Sequence, residues 1–106
     1  MSRYMRILVF FDLPVVLPLE RKAYAKFRKF LLSDGYTMLQ YSVYSRICNG
    51  QDSVNKHMKR LKENLPNVNG SIRVLKVTEK QYENMEILLG TTTPEEEIGP
   101  NKIDFF

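Results

Sequence analysis

The chain has 106 residues, 43% hydrophobic and 26% charged, the proportions of one ordinary globular domain with a modest core. No apolar run approaches the ~20 residues that cross a bilayer, "ILVFF" after Arg6 is too short for a signal-peptide core, and one cysteine, Cys48, excludes an internal disulfide and suits a reducing cytoplasm. The net charge of +4 conceals a split: residues 1–80 carry 15 Lys/Arg against 6 Asp/Glu, a net +9, whereas residues 81–106 carry 1 against 6, a net −5; so basic a body favours polyanions.

The first predicted element is a strand over 5–11, with Leu8 and Phe10 on one side and Ile7, Val9 and Phe11 on the other. Both sides are apolar, so both need cover. The run ends in a carboxylate, Asp12, and "LPVVLP" follows as a loop punctuated by Pro14 and Pro18. A helix is expected from Leu19 to Ser33, with Leu19, Ala23, Phe27, Phe30 and Leu31 as its core stripe and Gly35 as the left-handed residue that ends it. "YTMLQYSVYSRI", residues 36–47, alternates and is rich in Tyr and Val, which reads as one or two strands. Asp52 is the expected cap of a second helix over 53–64, whose stripe is Val54, Met58, Leu61 and Leu65. "SIRVLKVT", 71–78, is a strand, "EKQYEN" a turn or helical turn, and "MEILLG" a short last strand. The division is therefore a domain over 1–90 and an acidic tail over 91–106 bearing Glu95, Glu96 and Glu97.

The order β-α-β-β-α-β implies an α+β, ferredoxin-like domain: a four-stranded antiparallel sheet with two helices on one face, plus a short C-terminal strand. The other face would carry Leu8, Phe10 and Tyr44, and a symmetric homodimer is the simplest cover for it. In such a dimer two Asp12 carboxylates could meet near the axis and share a divalent cation, Mg²⁺ or Mn²⁺ in its place. Otherwise the sequence is poor in catalytic sets. His57 sits among lysines and reads as a surface residue, Cys48 has no CxxC partner, and no glycine-rich phosphate loop occurs. Arg21, Lys22, Lys26, Arg28, Lys29 and Arg46 are the candidate phosphate contacts, and Tyr24, Tyr41 and Tyr44 the candidate stacking rings.

An apolar strand ending in aspartate ("ILVFFD"), the helix "AKFRKFLLSDG", and then "LQYSVYSRI" resemble the small CRISPR-associated adaptation proteins, partners of the CRISPR integrase, over residues 5–78. The proline loop and acidic tail are similar to the version that accompanies single-effector, type II systems. The resemblance implies a ferredoxin-like homodimer, with "MEILLG" as a strand exchanged onto the partner's sheet. It also implies a place between two integrase dimers bracing captured DNA, and a Mg²⁺-dependent endonuclease on RNA or duplex DNA whose metal-binding aspartate is Asp12. Two other readings of the same residues stand beside it. One is a dimeric toxin-type ribonuclease, which would need Asp12 and metal for turnover. The other is a non-enzymatic RNA-binding sheet, which would need exposed aromatics on its central strands.

Overall fold

A computed structural model describes residues 3–90, and the acidic tail over 91–106 lies outside the described residues. The elements are β1 (Tyr4–Asp12), α1 (Pro18–Ser33), β2 (Thr37–Gln40), β3 (Val43–Asn49), α2 (Gln51–Glu63), β4 (Ser71–Thr78) and α3 (Glu79–Glu83). The four strands form one sheet in the order β2-β3-β1-β4, and every neighbouring pair is antiparallel. This is the expected ferredoxin-like arrangement. Among the described residues no helix is long and apolar enough to cross a membrane.

The inner face of the sheet is built from Ile7, Val9 and Phe11 on β1, Tyr44 and Cys48 on β3, and Ile72 and Val74 on β4. Phe27 and Leu31 from α1 and Val54 and Leu61 from α2 close over them. Phe11 is the hub: its ring meets Phe27 edge-on at 5.2 Å and stacks on Tyr44 at 5.6 Å between centroids. Tyr44 is 1% exposed, so it is a core residue and not part of an outward interface. The ladder gives the reason: Tyr44 lies opposite Val9, whose side faces the helices, while Val43 lies opposite Phe10.

Helix boundaries follow local chemistry. α1 starts at Pro18, which has no N–H to leave unsatisfied there. The Glu20 carboxylate accepts the N–H groups of Leu17 and Val16 at 2.8 and 3.2 Å. Leu19, expected in the core stripe, is instead exposed. At the other end Gly35 adopts φ +91°, and Tyr36 N–H returns to Leu31 O while Gly35 N–H returns to Leu32 O, the doubly bonded helix stop that glycine permits. α2 begins two residues earlier than expected, with Gly50 as its N-cap, so Asp52 lies inside the first turn and caps nothing. Leu65 is likewise exposed beyond the helix end.

His57 corrects a second expectation. It is 2% exposed, and its Nδ1 lies 2.8 Å from the Asp34 carboxylate. A carboxylate only accepts, so Nδ1 carries the proton. Arg60 donates to the other oxygen of Asp34 at 2.9 Å. Burial pushes the Asp34 carboxyl up, but these two hydrogen bonds outweigh it and hold it below the usual carboxylate value. The pair joins the end of α1 to the middle of α2. Nearby, burial raises the pKa of the Cys48 thiol above its usual value, which suits an inert core residue.

The outer face is covered over one half only. α3 folds across it, and Arg6 of β1, 5% exposed, makes two hydrogen bonds to the buried Glu79 carboxylate at 2.6 and 3.1 Å. The guanidinium also reaches Ser45 Oγ at 3.3 Å and stands 4.2 Å from the Tyr82 ring centre. After α3 the chain continues without a strand: "MEILLG" forms none in the single chain, and Leu88 and Leu89 are 91% and 96% exposed.

Candidate nucleic-acid and metal site at the end of β1

β1 ends where the uncovered half of the outer face begins. Alternation along β1 puts Leu8, Phe10 and Asp12 on this side, and the ladder places Leu75 opposite Leu8, Val43 and Arg73 opposite Phe10, and Ser71 opposite Asp12. Leu8 is buried, whereas Phe10 at 38% and Leu75 at 51% stay open to solvent. Two of the three expected interface residues, Leu8 and Phe10, therefore belong to this face.

Asp12 is exposed. Its carboxylate forms no hydrogen bond or ion pair with any described residue, a costless state in water and an unusual way to end a buried strand. A shallow cleft of about 240 Å³ opens beside it, lined by Phe10, Asp12, Tyr41, Ser42, Ser71 and Arg73. Sequence reasoning singled out Asp12 and Tyr41 but missed Ser71 and Arg73, because nothing along the chain signals which β4 residues pair with β1. Among the described residues no three His, Cys, Asp or Glu side chains converge on a metal position. One chain thus offers a single carboxylate. That fits Mg²⁺, which is commonly held by one or two carboxylates with waters and phosphate oxygens completing its shell.

Gly70 sets the position of Asp12. A Cβ on Gly70 would stand 2.7 Å from the backbone oxygen of Asp12 and 2.9 Å from Leu13, and its φ of +142° is one that side chains disfavour. The start of β4 can approach the end of β1 only because this residue is glycine. Gly70→Ala should cost about 1–3 kcal/mol of stability, read as a lower midpoint in urea. A variant as stable as wild type would show that the two strand ends can part without cost.

Tyr41 occupies the hairpin turn between β2 and β3 and is 73% exposed. One face of its ring stacks on Tyr24, with centroids 6.1 Å apart and planes 20° from parallel. Hydrogen bonding with Tyr24 pushes the Tyr41 phenol up, so the ring is neutral at physiological pH.

The phosphate candidates divide. Arg21, Lys22, Lys26, Arg28 and Lys29 are all exposed on α1. Helical spacing puts Lys22, Lys26 and Lys29 in one row and Arg21 and Arg28 in another. Lys22 and Lys26 line a groove running to Glu63 and Asn67 at the end of α2. Arg21 is tied down, donating to the Val16 carbonyl at 2.5 Å. Arg46 departs furthest from the expectation: it is half-buried and donates to the Asp34 and Ile47 carbonyls at 2.7 and 2.5 Å. Its guanidinium also packs on Gly35. It fastens β3 to the end of α1 and does not project to solvent. A further cleft, lined by Asn55, Met58, Lys59, Lys62, Glu63 and Lys76, has three lysines against one carboxylate and lies between α2 and β4.

The RNA-binding-sheet reading gains no support from the outer face. β3 contributes no aromatic to it, since Tyr44 points inward, and Phe10 has Val43 and Arg73 as its ladder neighbours.

Comparison with known proteins follows the same direction. The sequence profile of the family described as CRISPR associated protein Cas2 matches residues 5–85. A protein of Acidovorax ebreus named CRISPR-associated endoribonuclease Cas2 is 62% identical over 86 residues, covering 81% of this chain and 83% of that one. Proteins of the same name from Parvibaculum lavamentivorans and Flavobacterium psychrophilum are each 39% identical, covering 96% and 98% of this chain and 100% and 90% of theirs.

Proposed function

Because the chain belongs to the CRISPR associated protein Cas2 family, we propose that it serves CRISPR adaptation as a homodimer that braces captured DNA by its backbone between integrase dimers, and that it cleaves RNA or duplex DNA with Mg²⁺ at Asp12. The observation that carries this reading is the half-covered outer face, on which open Phe10 and Leu75 lead directly to an unpaired Asp12. A second copy packed on that half across a twofold axis would cover the apolar residues and bring a second Asp12 towards the first. The exposed row of α1 cations would hold phosphates with little regard to sequence. The names of the relatives support endonucleolytic cleavage of RNA.

Asp12 is the residue that would hold Mg²⁺, one carboxylate from each copy. When bound there, the ion supplies positive charge to the phosphate oxygens and makes a water more acidic. In the hydrolysis the water oxygen bonds to phosphorus while the bond to the leaving sugar oxygen breaks. That oxygen takes up a proton as the water loses one. Arg73, beside Asp12 in the same cleft, is placed to hold a non-reacting phosphate.

The test joins mass to chemistry. Sedimentation at micromolar concentration should give a dimer, and the same sample should cut labelled RNA or duplex DNA in Mg²⁺ and stop on chelation. A monomer that cleaves equally well in chelator would overturn the twofold metal site.

A further inference from the structure

The cleft beside Asp12 has one wall that the metal chemistry does not use. Tyr41 is a large aromatic left 73% exposed, yet it is held in place. Its inner face rests on Tyr24, and Tyr24 in turn meets the core ring of Phe11 at 5.6 Å. The Tyr24 hydroxyl is within 3.2 Å of Ser42 Oγ, the residue next to Tyr41. Ser42 also accepts the N–H of Phe11 on its carbonyl at 3.0 Å, so the turn is bonded to the residue just before Asp12. Ser42 has φ +63°, a conformation that costs a non-glycine residue about 1 kcal/mol or more. The hairpin keeps this strained serine at the point where its hydroxyl meets Tyr24.

A side chain ordered without being buried gains little for the fold. What this arrangement presents is a flat, neutral π-face, backed by a second ring and fixed relative to Asp12. We propose that Tyr41 is the base-stacking platform that seats an unpaired nucleotide beside Asp12. Bases within a duplex already stack on one another and offer no free face, whereas an unpaired base can stack on an aromatic whatever its sequence. Arg73 lies in the same cleft and has no ion-pair partner among the described residues, leaving it available to the adjoining phosphate. That this nucleotide adjoins the reacting phosphate rests on the reading of Asp12 as the nuclease site; the stacking itself does not depend on cleavage.

Binding is therefore measured first in chelator. The probes are a single-stranded oligonucleotide with 2-aminopurine at its centre, in RNA and DNA versions, and the corresponding duplexes. Wild type should quench the single-stranded probe on binding. Tyr41→Ala should lose the quenching and about 10-fold in single-strand affinity, with duplex affinity changed less than about 2-fold. Tyr41→Phe, which keeps the ring, should behave as wild type. The difference between RNA and DNA probes identifies which strand is preferred. Equal affinity and quenching in Tyr41→Ala, equal losses for single strand and duplex, or a wild type that binds no single strand would each overturn the proposal. Wild type that binds and quenches but stays inert when Mg²⁺ is restored would overturn the nuclease reading of Asp12 and leave the stacking platform standing.

Discussion

Asp12→Asn is expected to lower metal-dependent cleavage on the order of 100-fold or more, with the fold unchanged and, in chelator, the dimer at least as tight. The two halves of that expectation have separate causes. The carboxylate is exposed and bonds to nothing among the described residues, so asparagine of the same shape removes no native contact. The stability change should stay within about 0.5 kcal/mol, as for an ordinary surface position. The backbone pairing of Asp12 with Ser71 is untouched by the change. Loss of charge matters instead to the cation, which asparagine binds through one neutral oxygen. Excess Mg²⁺ should therefore recover part of the rate in Asp12→Asn and none in Asp12→Ala. In chelator, where no cation bridges the two residues near the axis, removing two like charges eases association. Cleavage rate and dimer dissociation constant measured on the same preparations separate these effects. Undiminished cleavage in Asp12→Asn would make Asp12 a strand-end residue and the protein a scaffold.

That carboxylate was visible in the sequence because it breaks an apolar run, and the elements around it were visible through their periods. The two-sided apolarity of residues 7–11, the Phe27 and Leu31 spacing and the glycine at 35 all act through neighbours a few positions away. What escaped depends on register. Tyr44 and Arg46 share one side of β3, and Val43, Ser45 and Ile47 the other. Both sets mix polar and apolar residues, so hydrophobicity alone does not say which one meets the helices. The pairing with Val9 decides it. His57 looked like one more polar residue of a cationic helix; its partner, Asp34, is 23 positions away. Gly70, Ser71 and Arg73 join the site because β4 runs antiparallel to β1, a relation with no local signature. Tyr41 was legible as a ring able to stack, but its exposure and its place beside Asp12 come from the turn held by Ser42.

The longest of these invisible relations carries the largest expected loss of stability. Glu79 lies 73 positions from Arg6, and both side chains are almost fully buried, at 3% and 6% exposure. Glu79→Gln should destabilise the protein by about 3–5 kcal/mol, because it leaves the Arg6 charge buried without a counter-charge. Against the ~5–15 kcal/mol that holds a typical domain together, this is a large fraction, and in a domain this small it corresponds to a melting temperature lower by roughly 15–30 °C. The pair itself is worth far less than that. Desolvating two ions offsets most of their attraction, so Arg6→Met combined with Glu79→Leu should regain most of the lost stability. The single and double variants differ in a second way. Freed of its anchor, α3 should lift from the sheet in Glu79→Gln and expose the backbone of residues 79–83 to hydrogen exchange. It should stay down in the apolar double variant. All variants must be compared at one protein concentration, since association adds to apparent stability. A Glu79→Gln protein that melts within a few degrees of wild type would mean that water reaches the Arg6 guanidinium once its partner is neutral, and that packing against Tyr82, not the ion pair, holds α3 across the outer face.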